Sequence, residues 1–423
     1  MQKRTFLISL IFSLTLALAV NAWAHATEKV LYGFKGGTDG AFPSSSLVMD
    51  AAGNLYGTAS EGGNPSDCVD NYVPGCGVVY ALTSTSGGWQ QSVLYAFQGG
   101  SDGLYPSGNL VFDASGNLYG TTVGGGTGTT CSGGCGTVFQ LSPDQDGGWT
   151  EAVLYSFQAA TDGAFPAGLT FDSSGNLYGI TTAGGSGSRG TVYKLVPPKQ
   201  EGGPWTEKTL YGFSDFEIAP SPGLVFDSKG NLYGTYYQLY SCYPGCGAVF
   251  ELKHAHGQWT ETDLFDFPGG GNGGEPMAGV IFDDKGNLYG TGAEGGNNFG
   301  IAFELKRCGG QWKEIMLHNF CSLNNCADGA LPQAGLVMDA AGVLYGTTSA
   351  GGRCLYCGGG VVFKLARAKN GWKETVLHRF RGGSDGASPT ASLILDGEGN
   401  LYGTTDPGAY NNAGYGTVFE VMP

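Results

Sequence analysis

One short motif recurs seven times along the chain and constrains its fold more than any other feature. The motif reads Gly-Xaa-Leu-Tyr-Gly, and its tyrosines stand at positions 56, 119, 178, 233, 289, 345 and 402. Neighbouring copies are separated by 55 to 63 residues. A period of this size indicates a repeat protein in which each unit is one supersecondary element.

Each unit contains four short runs rich in Val, Leu, Phe and Tyr, which we call strands A, B, C and D. In the second unit they are residues 109–113, 117–122, 136–141 and 153–157. Gly, Asp, Ser and Pro bound each run, as expected for strands separated by turns. Seven such units predict an all-β, seven-bladed β-propeller with four-stranded blades. A β-solenoid is the alternative, but its coils usually repeat at shorter intervals.

The seventh unit has strands A, B and C at 392–396, 400–405 and 416–421, and no D strand follows them. Residues 27–34, Thr-Glu-Lys-Val-Leu-Tyr-Gly-Phe, match the D strand of the other units, as in Thr206-Glu-Lys-Thr-Leu-Tyr-Gly-Phe213. We therefore predict that 27–34 completes the last blade and closes the ring, because pairing the two ends removes an exposed strand edge. Residues 27–423 then form one propeller domain of seven tandem repeats.

Residues 1–26 have the order of a secretory signal peptide. Lys3 and Arg4 precede an apolar run from Phe6 to Val20, and small residues follow at Ala22, Ala24 and Ala26. A membrane anchor is the alternative, but the run is shorter than the ~20 residues that span a bilayer. We expect removal after Ala26 and a secreted, extracellular or periplasmic protein without a membrane span.

The chain is acidic, with a formal net charge of -15. Loss of Lys3 and Arg4 with the signal would make it -17. Such a surface repels nucleic acid and anionic lipid, so neither is an expected partner. We expect a monomer.

Two residue types recur at the hairpins. An aspartate opens each A to B turn and a glycine follows three residues later, which suits a side-chain-capped turn. These aspartates are Asp50, Asp113, Asp172, Asp227, Asp283, Asp339 and Asp396.

Six tryptophans stand five residues before a D-strand leucine, and we interpret them as packing residues rather than sugar-binding platforms. They are Trp89, Trp149, Trp205, Trp259, Trp312 and Trp372.

The repeat unit Gly-Leu-Val-Phe-Asp-x-x-Gly-Asn-Leu-Tyr-Gly-Thr-Thr, followed by Gly-Thr-Val-Phe-Glu-Leu and Trp-Thr-Glu-x-Val-Leu-Tyr-Ser-Phe, resembles the GloVer tandem repeat of secreted bacterial "choice-of-anchor" proteins. The resemblance covers residues 27–423. It implies export and a repeat body, and it brings no assigned reaction or catalytic residues. More distantly, Asp-x-x-Gly-Asn-Leu-Tyr resembles the first hairpin of NHL-type and gluconolactonase-like propellers. The chain ends at Pro423 without the apolar or sorting tail of anchored members.

Ten of the eleven cysteines fall in B to C or D to A loops, which share one face of a propeller. Their short spacing in an exported chain predicts disulfides within loops. The pairs are Cys68 with Cys76, Cys131 with Cys135, Cys242 with Cys246, Cys321 with Cys326, and Cys354 with Cys357. A four-cysteine zinc site between the first two blades is the alternative. Cys308 lies in a C to D loop and is left without a partner in the chain, which leaves a free thiol or an intermolecular bridge as the alternatives.

The D to A loops on the same face carry Asp-Gly pairs. The aspartates are Asp39, Asp102, Asp162, Asp328 and Asp385. They are interpreted as turn residues, with calcium ligation as the functional alternative. No other cofactor is expected.

No nucleophile and base motif appears in the sequence, so no catalytic residue is assigned. Tyrosines decorate the variable loops of the cysteine-rich face and are candidates for ligand binding, with loop packing as the alternative. They are Tyr72, Tyr236, Tyr237, Tyr240, Tyr243, Tyr356, Tyr410 and Tyr415.

The sequence thus favours a binding or scaffold propeller for an extracellular polysaccharide or protein surface. The alternative is a carbohydrate-active propeller enzyme, a lyase, glycosidase or lactonase, which would use acidic residues at the channel mouth.

Overall fold

The computed structural model describes residues 26–69, 72–200, 202–214, 218–238, 246–355, 359–407 and 414–423. These residues form 29 strands in seven antiparallel sheets, arranged as the predicted seven-bladed β-propeller.

The strands follow one another blade by blade. The chain enters through β1 (Thr27–Gly33). Blade 1 contains β2 (Val48–Met49), β3 (Leu55–Ala59), β4 (Val78–Thr85) and β5 (Gly88–Ala96). Blade 2 contains β6 (Leu104–Phe112), β7 (Leu118–Gly124), β8 (Thr137–Pro143) and β9 (Trp149–Ser156). Blade 3 contains β10 (Ala164–Phe171), β11 (Leu177–Ala183), β12 (Thr191–Val196) and β13 (Thr206–Gly212).

Blade 4 has its first strand in two pieces, β14 (Ile218–Pro220) and β15 (Val225–Phe226), followed by β16 (Leu232–Gln238), β17 (Ala248–Ala255) and β18 (Gln258–Asp266). Blade 5 contains β19 (Ile281–Phe282), β20 (Leu288–Gly292), β21 (Ile301–Cys308) and β22 (Gln311–Asn319). Blade 6 contains β23 (Val337–Met338), β24 (Leu344–Thr348), β25 (Val361–Ala368) and β26 (Gly371–Arg379). Blade 7 contains β27 (Ile394–Leu395), β28 (Leu401–Thr405) and β29 (Thr417–Met422).

The ring is closed as predicted. Strand β1 pairs with β29 in antiparallel register, with Thr27 opposite Met422 and Gly33 opposite Thr417. The last sheet therefore runs β1-β29-β28-β27, with its outermost strand taken from the other end of the domain.

Apolar side chains fill the spaces between neighbouring blades. The cluster between blades 1 and 2 joins Val79 and Phe97 of the first blade to Leu110, Phe139 and Leu141 of the second. All five are at most 1% exposed. Because each sheet is covered on both faces, its strands are nearly continuous in apolar character, unlike those of a one-sided sheet.

The hairpin aspartates have the predicted structural role. Asp113 Oδ1 accepts hydrogen bonds from the Ser115 and Asn117 amides at 2.8 and 3.0 Å. Its Oδ2 accepts from Asn117 Nδ2 at 2.7 Å and from the Tyr119 hydroxyl at 3.0 Å. Gly116 has a φ of 85°, which closes the turn in the left-handed region that glycine tolerates.

The tryptophans also pack as predicted, and they do so between blades. Trp149 meets the hairpin Tyr56 of the preceding blade at a ring-centroid distance of 6.3 Å. Trp89 of blade 1 contacts Tyr402 of blade 7 in the same way, at a ring-centroid distance of 6.5 Å, where the ring of blades closes.

The centre of the ring is lined by small residues. Gly279 donates its amide hydrogen to the Pro222 carbonyl oxygen, and Ser392 donates to Ser46 Oγ, each bond crossing from one innermost segment to the next. A Cβ on Gly279 would lie 2.3 Å from the Gly223 carbonyl oxygen, so only glycine permits this approach. Among the described residues the helices are three 3₁₀ turns of three residues, none of a length that could cross a membrane.

Candidate functional site

Two faces of the propeller are distinguished by their connections. The loop face carries the B to C loops and the D to A loops, and the hairpin face carries the A to B and C to D turns. The predicted disulfides Cys68–Cys76, Cys131–Cys135 and Cys321–Cys326 are present on the loop face. Cys246 and Cys354 are also disulfide-bonded, and their predicted partners Cys242 and Cys357 lie outside the described residues. Cys308 is free and exposed, as expected.

The Asp-Gly loops are tied to the strand that precedes them. Asp39 Oδ2 accepts hydrogen bonds from the Tyr32 hydroxyl at 2.8 Å and from the Lys35 amide at 2.9 Å. Asp102 and Asp162 are held in the same way by Tyr95 and Tyr155. A D-strand tyrosine thus fixes the loop through its hydroxyl.

Histidine replaces the tyrosine in blades 5 and 6. His318 Nε2 lies 3.2 Å from Asp328 Oδ2, and His378 Nε2 lies 3.6 Å from Asp385 Oδ2. Burial alone would raise the pKa of Asp328, but hydrogen bonds from His318, Ser322 and Leu323 lower this pKa to about 2.

These contacts give the five aspartates a structural role, and calcium ligation remains a prediction for them. Within the described residues no group of three or more His, Cys, Asp or Glu side chains is arranged to hold a metal ion.

A ring of left-handed residues follows the D to A loops and was not predicted. Six residues other than glycine that directly precede a proline at the start of an innermost segment have φ between 49° and 59°. They are Phe42, Tyr105, Phe165, Glu275, Leu331 and Ser388. We call them the mouth ring. Left-handed backbone at such residues costs of order 1 kcal/mol or more each and persists only where surrounding contacts enforce it.

Contacts from the preceding blade enforce this conformation. Tyr105 donates its amide hydrogen to the Cys76 carbonyl oxygen at 3.0 Å, and Phe165 donates to that of Cys135 at 2.9 Å. Glu275 donates to Cys246 at 2.7 Å. In three of the six cases the acceptor therefore belongs to a disulfide-bonded cysteine.

Acidic residues lie beside the ring between blades 4 and 5. The Glu275 carbonyl oxygen accepts the Ala293 amide at 3.0 Å, which places Glu294 next to it in the sequence. Burial, and then the negative charge of Glu294, raises the pKa of Glu275. Burial, and then the charge of Glu275, raises the pKa of Tyr237. Tyr237, Glu275 and Glu294 thus form one electrostatically coupled group at the mouth.

The predicted ligand-binding tyrosines do not share one environment. Tyr72 is 83% exposed, and its ring centroid lies 6.0 Å from that of Phe42 in the mouth ring. Tyr237 belongs to the acidic group. Tyr236 and Tyr415 instead pack against core clusters, and the Tyr236 hydroxyl donates to Asp263 Oδ2 at 2.9 Å. Tyr240, Tyr243, Tyr356 and Tyr410 lie outside the described residues.

The sequence did carry a signal for the mouth ring. Asp-Gly-Ala-Phe-Pro, Asp-Gly-Leu-Tyr-Pro, Asp-Gly-Ala-Leu-Pro and Asp-Gly-Ala-Ser-Pro repeat at the D to A loops. The variable residue before the proline is the one that takes the left-handed conformation.

Fold and loops together define a seven-bladed β-propeller with a disulfide-bonded loop face. The Gloeobacter/Verrucomicrobia repeat model matches residues 127–356 and 300–423, which is more than half of the chain. The chain therefore belongs to this family, in agreement with the GloVer resemblance. No functionally curated protein matches its sequence.

Solved structures share the fold at low identity. A 6-phosphogluconolactonase candidate from Bacteroides fragilis is 14% identical, with a TM-score of 0.53 over 84% of this chain and 87% of that one. An ulvan lyase of family PL25, bound to a GlcA(1-4)Rha3S unit, is 10% identical, with a TM-score of 0.54 over 92% of this chain and 94% of that one. At such identities the likeness establishes the fold alone.

Proposed function

We propose that this protein is exported and binds a polysaccharide on its loop face, at the mouth ring. The observation that carries the proposal is the ring of bulky left-handed residues on this face, two of which, Tyr105 and Phe165, donate their amide hydrogens to disulfide-bonded cysteines. Three members of the ring, Phe42, Tyr105 and Phe165, are aromatic and half-buried. Their conformation is fixed before any ligand arrives, which reduces the entropy lost on binding.

Aromatic rings and acidic groups at one mouth suit a sugar chain. The exposed Tyr72 beside Phe42 offers an apolar face for a pyranose ring and a hydroxyl for hydrogen bonds. Glu275 and Glu294 supply acceptors for sugar hydroxyls. Disulfides in this face fit an oxidising compartment, which supports export. The lactonase and lyase candidates among the structural neighbours act on sugars or polysaccharides by their names, which is consistent with this choice.

The test is a glycan and polysaccharide array with the mature protein, followed by calorimetry on the best binder. We expect Tyr72→Ala and Phe42→Ala to weaken binding at least about tenfold, since stacked aromatic anchors dominate such sites. Val93→Ala, an exposed change on the outer strand of the same half of the ring, should leave the affinity unchanged. Binding that is insensitive to both aromatic variants would contradict the proposal, and silence on every glycan would favour a protein partner instead.

A second candidate function is cleavage of that polysaccharide. Glu275, which lies near the negative charge of Glu294, favours it, because a carboxyl group with a raised pKa can hold a proton for a leaving group. Incubation with the bound polysaccharide should then release shorter products. Glu275→Gln would abolish this turnover and keep binding, whereas a wild-type protein that binds without product release is a binding protein only.

A further inference from the structure

A cleft on the hairpin face lies between blades 4 and 5, far from the loop-face disulfides. Its volume is about 420 Å³, which lies within the range of small-molecule sites, roughly 300–1,000 Å³. Four cationic side chains line it: Lys229 and Lys253 from blade 4, and Lys285 and Arg307 from blade 5. This concentration of positive charge is unexpected in a chain with a net charge of -15.

The two carboxylates in the cleft are already engaged by their own blade. Asp227 accepts hydrogen bonds from the Lys229 and Asn231 amides at 2.8 and 2.9 Å, as the hairpin requires. Glu251 Oε1 accepts the Tyr233 hydroxyl hydrogen at 2.8 Å. Neither carboxylate lies within ion-pair distance of the four cations.

Two other cations of the hairpin face have an ion-pair partner. Between blades 5 and 6, Arg367 lies 3.5 Å from Glu304. In blade 3, Lys194 lies 3.6 Å from Asp172. Among the described residues the four cations of the blade 4 and 5 cleft have no such partner. Arg307, which aligns with Arg367, instead lies over the Trp312 ring at 5.0 Å.

We propose that this cleft binds an anionic sugar residue, a uronate or a sulfated monosaccharide, carried on an oligosaccharide. The Arg307 guanidinium can hold a carboxylate or sulfate through two parallel hydrogen bonds, and the three lysines add charge around it. Trp312 provides an apolar wall for the sugar ring, and its indole nitrogen is buried without a hydrogen-bond partner. The cleft lies on the opposite face from the mouth ring, so this inference does not depend on the proposed loop-face function.

The acidic charge of the rest of the chain disfavours a long polyanion as the ligand of this cleft. The rest of the chain carries an excess of acidic groups. A nucleic acid would bring a line of phosphates against that acidic surface, at an energetic cost. A single anionic sugar brings its charge only to the cleft.

The test uses calorimetry and the fluorescence of the tryptophans on the mature protein, with three probes. They are a sulfated, glucuronate-containing tetrasaccharide, a neutral tetrasaccharide and sodium sulfate. We expect the anionic tetrasaccharide alone to bind in the cleft, with an affinity that falls as salt is added. The proposal would be overturned by a neutral probe that binds equally well and loses this binding in Arg307→Glu, or by sulfate that binds as tightly as the tetrasaccharide.

Charge variants identify the site. Lys285→Glu and Arg307→Glu should each weaken binding at least about tenfold, and Arg307→Lys should weaken it less, because the charge is kept and the bidentate geometry is lost. Lys208→Glu makes the same change in net charge on the exposed D strand of blade 3 and serves as the control. Equal losses in all the Glu variants would mean that the whole surface attracts the probe and would refute the cleft. Tyr72→Ala should leave this binding unchanged, which separates it from the loop face.

Discussion

Gln91 donates a hydrogen bond from its side-chain Nε2 to the main-chain carbonyl oxygen of Asp39, at 3.1 Å. The bond joins the outer strand of blade 1 to the D to A loop that precedes this blade. In the other six blades a glutamate takes the place of Gln91. These residues are Glu28, Glu151, Glu207, Glu261, Glu314 and Glu374.

Burial raises the pKa of all six glutamates, so they keep their protons to a higher pH than an exposed carboxyl group does. Burial, and then the negative charge of Asp102, raises the pKa of Glu151 to about 7. Its Oε1 is buried without a hydrogen-bond partner, as are those of Glu28, Glu261, Glu314 and Glu374. A protonated carboxyl has a donor where Gln91 has its amide, so Gln91 shows the contact that the protonated glutamates can make.

The propeller should therefore lose stability as the pH rises from about 4.5 to about 7. In this window the unfolded chain releases the Glu151 proton while the folded chain keeps it, so the free energy of unfolding falls. Glu151→Gln should raise Tm at pH 8 by about 1–3 °C and change it little at pH 4.5. Thermal unfolding followed by circular dichroism at the two pH values measures the difference.

The reverse change is the matched control. Gln91→Glu should lower Tm at pH 8 by a similar amount and leave it nearly unchanged at pH 4.5. If both variants shifted Tm equally at both pH values, the effect would be one of packing. The inference that these glutamates keep their protons above pH 4.5 would then be wrong.

The hairpin aspartates give a second prediction, for which blade 6 provides a natural comparison. Asp339 there lacks the amide partner of the other blades, because Val343 stands where they have asparagine. Asn117→Val should cost only about 1 kcal/mol. Asp113→Ala removes all four hydrogen bonds and leaves the Tyr119 hydroxyl without its acceptor, so we expect a loss of about 2–3 kcal/mol. Urea midpoints of the two variants would test the order, and equal midpoints would contradict it.

What could be predicted from the sequence follows from the range of each interaction. The Asp113 turn was predictable because its partners lie two to six residues away. The strand at Thr27–Gly33 was predictable because it repeats a known D strand. The left-handed Tyr105 was missed because its acceptor is Cys76 in another blade. The cationic cleft was missed because Lys229 and Arg307 meet only once blades 4 and 5 are side by side.

We expect the disulfides to affect the local opening of the mouth ring more than the free energy of global unfolding. Cys131–Cys135 closes a short loop and contributes about 2 kcal/mol in the chain-entropy model. Its larger effect is local, because the Cys135 carbonyl oxygen holds the Phe165 amide. In Cys131→Ser combined with Cys135→Ser, hydrogen exchange of the Phe165 amide should accelerate at least about tenfold. The Phe42 amide bonds to the Tyr415 carbonyl oxygen, without a cysteine, and should exchange as before. Unchanged exchange at Phe165 would show that the disulfide does not anchor the ring.

The junction between β1 and blade 1 provides the last prediction, since it is where the ring closes. Phe34 is 4% exposed, and its ring lies 5.0 Å from that of Tyr80 in blade 1, with the two planes at 70°. Phe97 occupies the same position within the continuous part of the ring, 5.1 Å from Phe139. Because both rings fill equivalent spaces between blades, Phe34→Ala and Phe97→Ala should each cost about 3–5 kcal/mol.

The comparison between these two variants tests the closure itself. Lys29 is exposed on the same strand, so Lys29→Ala should stay within about 0.5 kcal/mol of the wild type. Urea denaturation of the three variants gives the values. Phe34→Ala could unfold at the same urea concentration as Lys29→Ala while Phe97→Ala is strongly destabilised. In that case β1 would contribute nothing to the fold in solution, and blade 7 would have only three strands. Equal losses at Phe34 and Phe97 mean that a blade assembled from both ends of the domain is as stable as one made from continuous chain.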